Sequence, residues 1–301
     1  MKTIEEAFPA WSKSGLDALT SGCSYRVYLQ KVEGWPDPGS PAAVLGTAYH
    51  YALESHERDR ILQVRDGVNV QETSPGLLYD RARVVLDTQA RALPERLWAV
   101  HDTSLDELQE KLATAIEHWW SAPIPGGQPG AGMSLRDRLL QWRPVAVEPY
   151  FNVSFGDSDR PLHGFIDWLG WDEDAAQWVV VDQKSASSFR SWPHGGGGHE
   201  LEAAAYTFGS IIGSNLPVFG SVRQEWHVAR TDAGSNSRHQ PVRVIQTEPG
   251  DAEWYWLQDT MNLADQIVDE GLWEKNPDWF LCSETWCPMH VGAGGPCDPA
   301  A

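Results

Sequence analysis

The chain has 301 residues, 42% hydrophobic and 22% charged, with 16 tryptophans as its one compositional excess. Lys and Arg total 23 against 42 Asp and Glu, a formal charge of −19, which argues against a broad, non-specific grip on nucleic acid or acidic membranes. It leaves room for a local basic channel, or for a site at which metal ions supply the positive charge.

The opening MKTIEEAFPAW lacks an apolar core of signal-peptide length, and no run approaches a membrane span. A cytoplasmic protein with reduced thiols is therefore expected. The segment WSKSGLDALTSGC predicts a first helix with Ser14 as N-cap, Asp17 three residues on, and Leu16 and Leu19 on one side. Ser40 then reads as an N-cap with Pro41 at the first helical position, opening a helix through about Arg60. Gly46 and His50 lie one turn apart on it, so the small residue clears space beside the imidazole.

Residues 61–141 read as a largely helical insertion. Its clearest part is SLDELQEKLATAIEHWW, with a capping box Ser104–Glu107 and an apolar face of Leu105, Leu108, Leu112, Ile116 and Trp119. The loop APIPGGQPGAG breaks the pattern, and from residue 143 the apolar period changes to that of strands. PVAVEPYFNVSF, LHGFIDWLGW and QWVVVDQKS are strand candidates, the last two joined by an acidic turn. After the Gly-rich PHGGGGHE come a helix in LEAAAYTFGSII, the strands VRQEWHVAR and VRVIQT, and a last helix from about Asp251 to Glu270.

The run Trp178-Val179-Val180-Val181 belongs inside a sheet, yet it ends in Asp182-Gln183-Lys184. A buried charge is costly unless it is paired or holds a metal. Residues two apart in a strand share a face, so Asp182 and Lys184 project together. Asp167, in GFID, closes the apolar part of the preceding strand, and pairing of the two strands brings both aspartates to one end of the sheet. Two carboxylates and an imidazole suit Mg²⁺ or Mn²⁺, and a lysine beside them can orient a water or stabilise charge on a phosphate. A solvated Asp–Lys pair and a packed, hydrogen-bonded histidine are the plain alternatives for these residue types.

The joint order resembles the PD-(D/E)-x-K nuclease superfamily, in its RecB-like and Cas4-like exonuclease branch. The matching residues are His50 in GTAYH, Asp167 in GFID, Asp182 and Lys184 in DQK, and Glu202 and Tyr206 in ELEAAAY. Asp182 stands where Cas4-like members usually carry Glu, and Glu202 stands in the place usually held by Gln. Glu148 matches an acidic position often seen ahead of the Gly-x-x-Asp strand, with a structural or supporting acid as the preferred reading. The resemblance implies a restriction-endonuclease-like α/β fold, with a central mixed β-sheet flanked by helices in one domain over residues 1–301. It also implies metal-dependent hydrolysis of DNA phosphodiesters at single-stranded ends, with 5′→3′ the favoured polarity. His50, Asp167, Asp182 and the Gln183 carbonyl would hold Mn²⁺ or Mg²⁺, Lys184 would position the water, and Tyr206 and Glu202 would face the substrate.

The four cysteines divide as Cys23 near the start and Cys282, Cys287 and Cys297 at the far end, a pattern suited to a soft metal centre. CSYRVYL at Cys23 resembles the segment ahead of the nuclease core in iron–sulfur members of this branch, which implies a [4Fe–4S] cluster clipping the chain ends together. The spacings to Cys287 and Cys297 are wider than the tightest family pattern, so a Cys₄ zinc site and free buried thiols stay open. His290 and Asp298 lie in or beside that segment and are assigned no ligand role. Arg26 and Arg190 are candidate strand guides or ordinary surface charges. A non-catalytic DNA-end-binding adaptor, and a nuclease subunit working with recombination, helicase or CRISPR-integrase proteins, are the competing functions. No membrane partner is expected, and an oligomer is open.

Overall fold

A computed structural model of the chain describes residues 2–37, 39–67, 73–189, 200–213, 222–234, 240–278, 282–283 and 287–298. The Gly-rich segment and Arg190 lie outside them. The helices are α1 (Ile4–Ala7), α2 (Lys13–Thr20), α3 (Ser24–Lys31), α4 (Pro41–Asp66), α5 (Pro75–Ala90), α6 (Glu95–Val100), α7 (Leu105–Ser121), α8 (Leu135–Leu140), α9 (Glu200–Gly213) and α10 (Asp251–Asp269). The strands are β1 (Arg143–Val147), β2 (Tyr150–Val153), β3 (Leu162–Phe165), β4 (Trp168–Asp172), β5 (Gln177–Ala186), β6 (Val222–Arg230) and β7 (Val242–Thr247).

The central sheet has the order β1-β4-β5-β6-β7, and β2 and β3 form a separate two-stranded ladder. β5 and β6 run parallel, joined through α9, while the other neighbours are antiparallel. This is the mixed sheet with flanking helices that a restriction-endonuclease-like α/β fold requires.

The apolar run in β5 follows from cover on both faces. Val179 and Val181 pack with α4, α5 and α7 through Ala48, Leu78, Leu112 and Trp119. Trp178 and Val180 pack on the other side with α2, α9 and α10 through Leu16, Ala204, Leu257 and Met261.

Three local expectations change. The helix expected to open at Ser14 is α2, and it is capped by Ser12, whose hydroxyl accepts from the Gly15 N–H at 3.2 Å. The helix bearing His50 keeps its Ser40 cap but runs on to Asp66, where Gly67 ends it with a left-handed φ of 63°. At Ser104 only half of the capping box forms, because the Glu107 carboxylate accepts from the Thr103 hydroxyl and pairs with Lys111 instead.

PVAVEPYFNVSF and LHGFIDWLGW, each expected as one strand, are two strands apiece. Glu148 adopts a φ of 50°, and Pro149 has no N–H to donate, so the ladder cannot pass straight through. Asp167 lies at the facing break. The Glu148 N–H donates to the Asp167 carbonyl and the Ile166 N–H to the Pro149 carbonyl, both at 3.2 Å, which keeps the two broken strands in step.

Candidate active site

The double break sits beside the charged end of β5. Trp168 pairs with Val181 across the β4–β5 ladder, so Asp167 and Asp182 are the next residues on either strand. The Gln183 N–H donates to Asp167 Oδ2 at 2.8 Å. His50, projecting from α4, places Nδ1 3.3 Å from the same oxygen.

Asp182 is 1% exposed, and Lys184 Nζ lies 2.7 Å from each of its carboxylate oxygens. The geometry is that of a hydrogen bond only at Oδ1, leaving Oδ2 buried without one. Lys184 Nζ also reaches Glu202 Oε1 at 3.1 Å. Glu202 and Tyr206 lie one turn apart on α9 and share the face that meets β5. On the far side of Glu202, Lys13 of α2 approaches Oε2 at 3.8 Å.

Burial lifts the carboxyls of Asp167 and Asp182 above the usual range, with Glu202 adding to both and Lys184 opposing. Burial alone would lower the Lys184 ammonium, but Asp182, Glu202 and Asp167 hold it well above its ordinary value. Burial and the Lys184 charge keep the His50 imidazole neutral, against the pull of Asp182 and Glu148. Burial and the Asp182 charge raise the Tyr206 phenol, so it stays a hydrogen-bond donor.

The expected set His50, Asp167, Asp182, Gln183, Lys184, Glu202 and Tyr206 thus meets at one end of the sheet. Among the described residues, however, no three His, Cys, Asp or Glu side chains are grouped as a ready cage for an ion. The acids are instead turned onto Lys184, the Gln183 amide and His50. Their donor chemistry, carboxylate oxygens with a neutral imidazole and one buried carboxylate oxygen lacking a hydrogen bond, fits Mg²⁺ or Mn²⁺.

Two acids join from the other side of His50. Arg58 bonds Glu148 Oε2 at 2.6 Å and lies 3.5 Å from Glu54. Burial, together with the hydrogen bond and charge of Glu148, raises Glu54 to about 7. Glu54 escaped the sequence reading although it follows His50 by one helical turn, a spacing that marks a shared face. Lys13 carries no such local signal. Arg26 is tied to Asp37 at 2.9 Å, which fits the plain reading of a structural charge.

The cysteines are free, with Cys23, Cys287 and Cys297 buried and Cys282 partly so. The chain ends meet there. The Glu274 carbonyl accepts from the Tyr25 N–H, the Ser24 hydroxyl accepts from the Glu274 N–H at 2.7 Å, and the Asn276 amide reaches the Gly22 carbonyl. Burial raises the Cys282 and Cys297 thiols, and Cys23 and Cys287 push both further. Cys282 and Cys297 therefore each feel Cys23 and Cys287, although among the described residues no three of these thiols are gathered as a metal-holding group.

Comparison with known families matches residues 10–291 to the model of the PD-(D/E)XK nuclease superfamily. A comparison with curated proteins finds no match. Among solved structures, a presumed exonuclease from Eubacterium rectale aligns at 10% identity over 94% of this chain and 92% of its own, with a TM-score of 0.50. The protein SSO0001 aligns at 11% identity over 79% of this chain and 94% of its own, with a TM-score of 0.33. The first likeness supports the fold alone. The family match spans every element that carries the acids and the lysine, and with their meeting at the double strand break it establishes that the chain belongs to the PD-(D/E)XK nuclease superfamily.

Proposed function

We propose that this chain is an Mg²⁺- or Mn²⁺-dependent exonuclease that hydrolyses phosphodiester bonds at single-stranded DNA ends in the 5′→3′ direction, and that its four cysteines hold a structural [4Fe–4S] cluster. The observation that carries the reading is the contact of Asp167, Asp182 and Lys184 at the end of β5, with His50 against Asp167. The Eubacterium rectale protein, itself described as an exonuclease, shares the fold on which this reading is built.

His50, Asp167, Asp182 and the Gln183 carbonyl are the residues that would hold the metal. A bound divalent ion lowers the pKa of water and neutralises charge on a phosphate. The chain's own part is positioning. Lys184, kept charged by the acids around it, is placed to orient a water and to stabilise negative charge developing on a phosphoryl oxygen. The neutral His50 imidazole presents a lone pair, and the Gln183 N–H fixes the Asp167 carboxylate. Glu202 shares Lys184 with Asp182, and the protonated Tyr206 can donate to substrate. For the cluster, Cys23, Cys282, Cys287 and Cys297 supply the thiolate set that iron–sulfur centres use.

One observation favours the adaptor as a second reading. The acids engage Lys184 and each other rather than forming a ready cage. Purification without oxygen, a visible spectrum, and labelled single-stranded DNA with Mn²⁺ or Mg²⁺ separate the two. Degradation by the wild type, lost in Asp182→Ala and Lys184→Ala, is expected. A wild type that degrades nothing points to the adaptor, degradation that survives either change points to another site, and a colourless zinc-containing protein overturns the cluster.

A further inference from the structure

The hairpin β2–β3 carries an aromatic pair that nothing among the described residues covers. Tyr150 and Phe165 face each other across the ladder, with ring centroids 5.1 Å apart and planes tilted by 51°. They are 50% and 55% exposed, whereas Phe151 on the opposite face is 2% exposed beneath α9. The alternation is that of a half-buried strand, but its outer face bears large rings where polar residues are the rule. Asn152 and His163, the next pair on that face, are polar, and the His163 ring lies 6.2 Å from Tyr150.

The place of the pair in the chain bears on its use. Tyr150 follows Glu148 by two residues and Phe165 precedes Asp167 by two, so both rings stand within roughly 7 Å of chain from the double break. A chain with a net charge of −19 gains little from phosphate attraction and counterion release, so another source of grip is needed for a polyanion. Stacking of bases on aromatic side chains supplies affinity that is indifferent to sequence and does not depend on phosphate charge.

We propose that Tyr150 and Phe165 form a stacking platform for unpaired bases of a single DNA strand, at the edge of the acid–lysine site. The assignment rests on the nuclease reading for its substrate class, but its test does not require cleavage. The platform grips bases rather than phosphates and so favours a frayed or single-stranded end over a duplex, whose bases are stacked on one another.

The test compares a fluorescent oligothymidylate with an abasic oligonucleotide of equal length and charge, by anisotropy in EDTA. The wild type is expected to bind the base-bearing strand about tenfold more tightly, the value of roughly one stacked base. Tyr150→Ala/Phe165→Ala is expected to bind both strands alike, and Phe165→Tyr to keep the preference. Photocrosslinking of bromouracil-substituted DNA to the wild type, which involves no variant, is expected to label Tyr150 or Phe165. Equal affinity of the wild type for both strands, absence of DNA binding, a preference that survives the double change, or crosslinks only elsewhere would each overturn the platform. A burial of the pair by self-association or by a protein would show as loss of DNA binding, and overturns it too. Mn²⁺-dependent cleavage is scored separately. Base-dependent binding without cleavage sinks the nuclease reading and leaves the platform, and cleavage with unchanged base preference does the reverse.

Discussion

Removing the lysine that neutralises the buried acid tests the site as a piece of folding physics, before any catalysis is assayed. In Lys184→Met the aliphatic stem stays but the ammonium, 2.7 Å from both oxygens of Asp182, is lost. Asp182 is 1% exposed, and its remaining acidic neighbours Asp167 and Glu202 repel it. Breaking a buried pair from one side costs about 3–5 kcal/mol, because the surviving charge is left without compensation. The lysine side chain is itself 26% exposed, which places the expected loss at the low end, about 3 kcal/mol. For a chain of this size that corresponds to a melting temperature lower by roughly 5 °C. Melting followed by circular dichroism in EDTA, at neutral pH, reads it directly. The paired change Asp182→Asn/Lys184→Met removes the stranded charge and is expected to recover at least half of the loss. Should Lys184→Met melt within a degree or two of the wild type, or the double variant melt no higher than the single one, the ammonium is not the counter-charge of Asp182.

The imidazole of His56, set edge-on against Trp119 and Trp120, is pushed down to about 4 by burial and by the charges of Arg136 and Arg60. Its folded value lies below the unfolded one near 6.5, so its contribution is complete above that pH and is lost as pH falls toward 4, about 3 kcal/mol across the window; urea titrations of wild type and His56→Phe should show the acid-side slope shrink in the variant. Gly209→Ala would place a Cβ 2.5 Å from the Phe151 ring, which is 2% exposed, so the face of α9 that also carries Glu202 and Tyr206 must shift; a loss of about 1–3 kcal/mol is expected by chemical denaturation. Asp167→Asn keeps the shape but weakens the acceptor for the Gln183 N–H and removes the charge beside His50; cleavage should fall at least about a hundredfold while the melting temperature changes little, measured on labelled single strands with Mn²⁺.

Where a single element determines the outcome, the sequence was informative. The valine run of β5 meant burial on both faces, and the period of two carried Asp182 and Lys184 to one side. Helical spacing places Glu202 with Tyr206, and the same four-residue step places Glu54 with His50 on α4. What stayed hidden depends on backbone detail or on partners far along the chain. Hydroxyls at Ser12 and Ser14 both suit the start of α2, and it is Ser12 that accepts from the Gly15 N–H. The left-handed turn at Glu148 has no signal beyond the following proline, so two long strands were expected where four short ones stand. Lys13 reaches Glu202 only because α2 lies against α9, a contact no local pattern announces.

That hidden turn explains how a sheet covered on both faces can present ionisable groups at all. Within the ladder every side chain of β5 from Gln177 to Gln183 is buried, and a carboxylate there would have to remain protonated or be paired. By breaking β1–β2 and β3–β4 at facing residues, the fold ends the cover beside Asp182 without ending the pairing, since backbone bonds cross the gap at Glu148 and Ile166. Asp167 can then turn its carboxylate across to the Gln183 amide, and α4 can bring His50 against it. The acids gather negative charge faster than burial tolerates, and Lys184 is the cation that lets them coexist. A divalent ion would meet the same need more strongly. The lysine is thus held where it is by Asp182, Glu202 and Asp167, and in the nuclease reading proposed above these are the same charges that would hold a metal beside it.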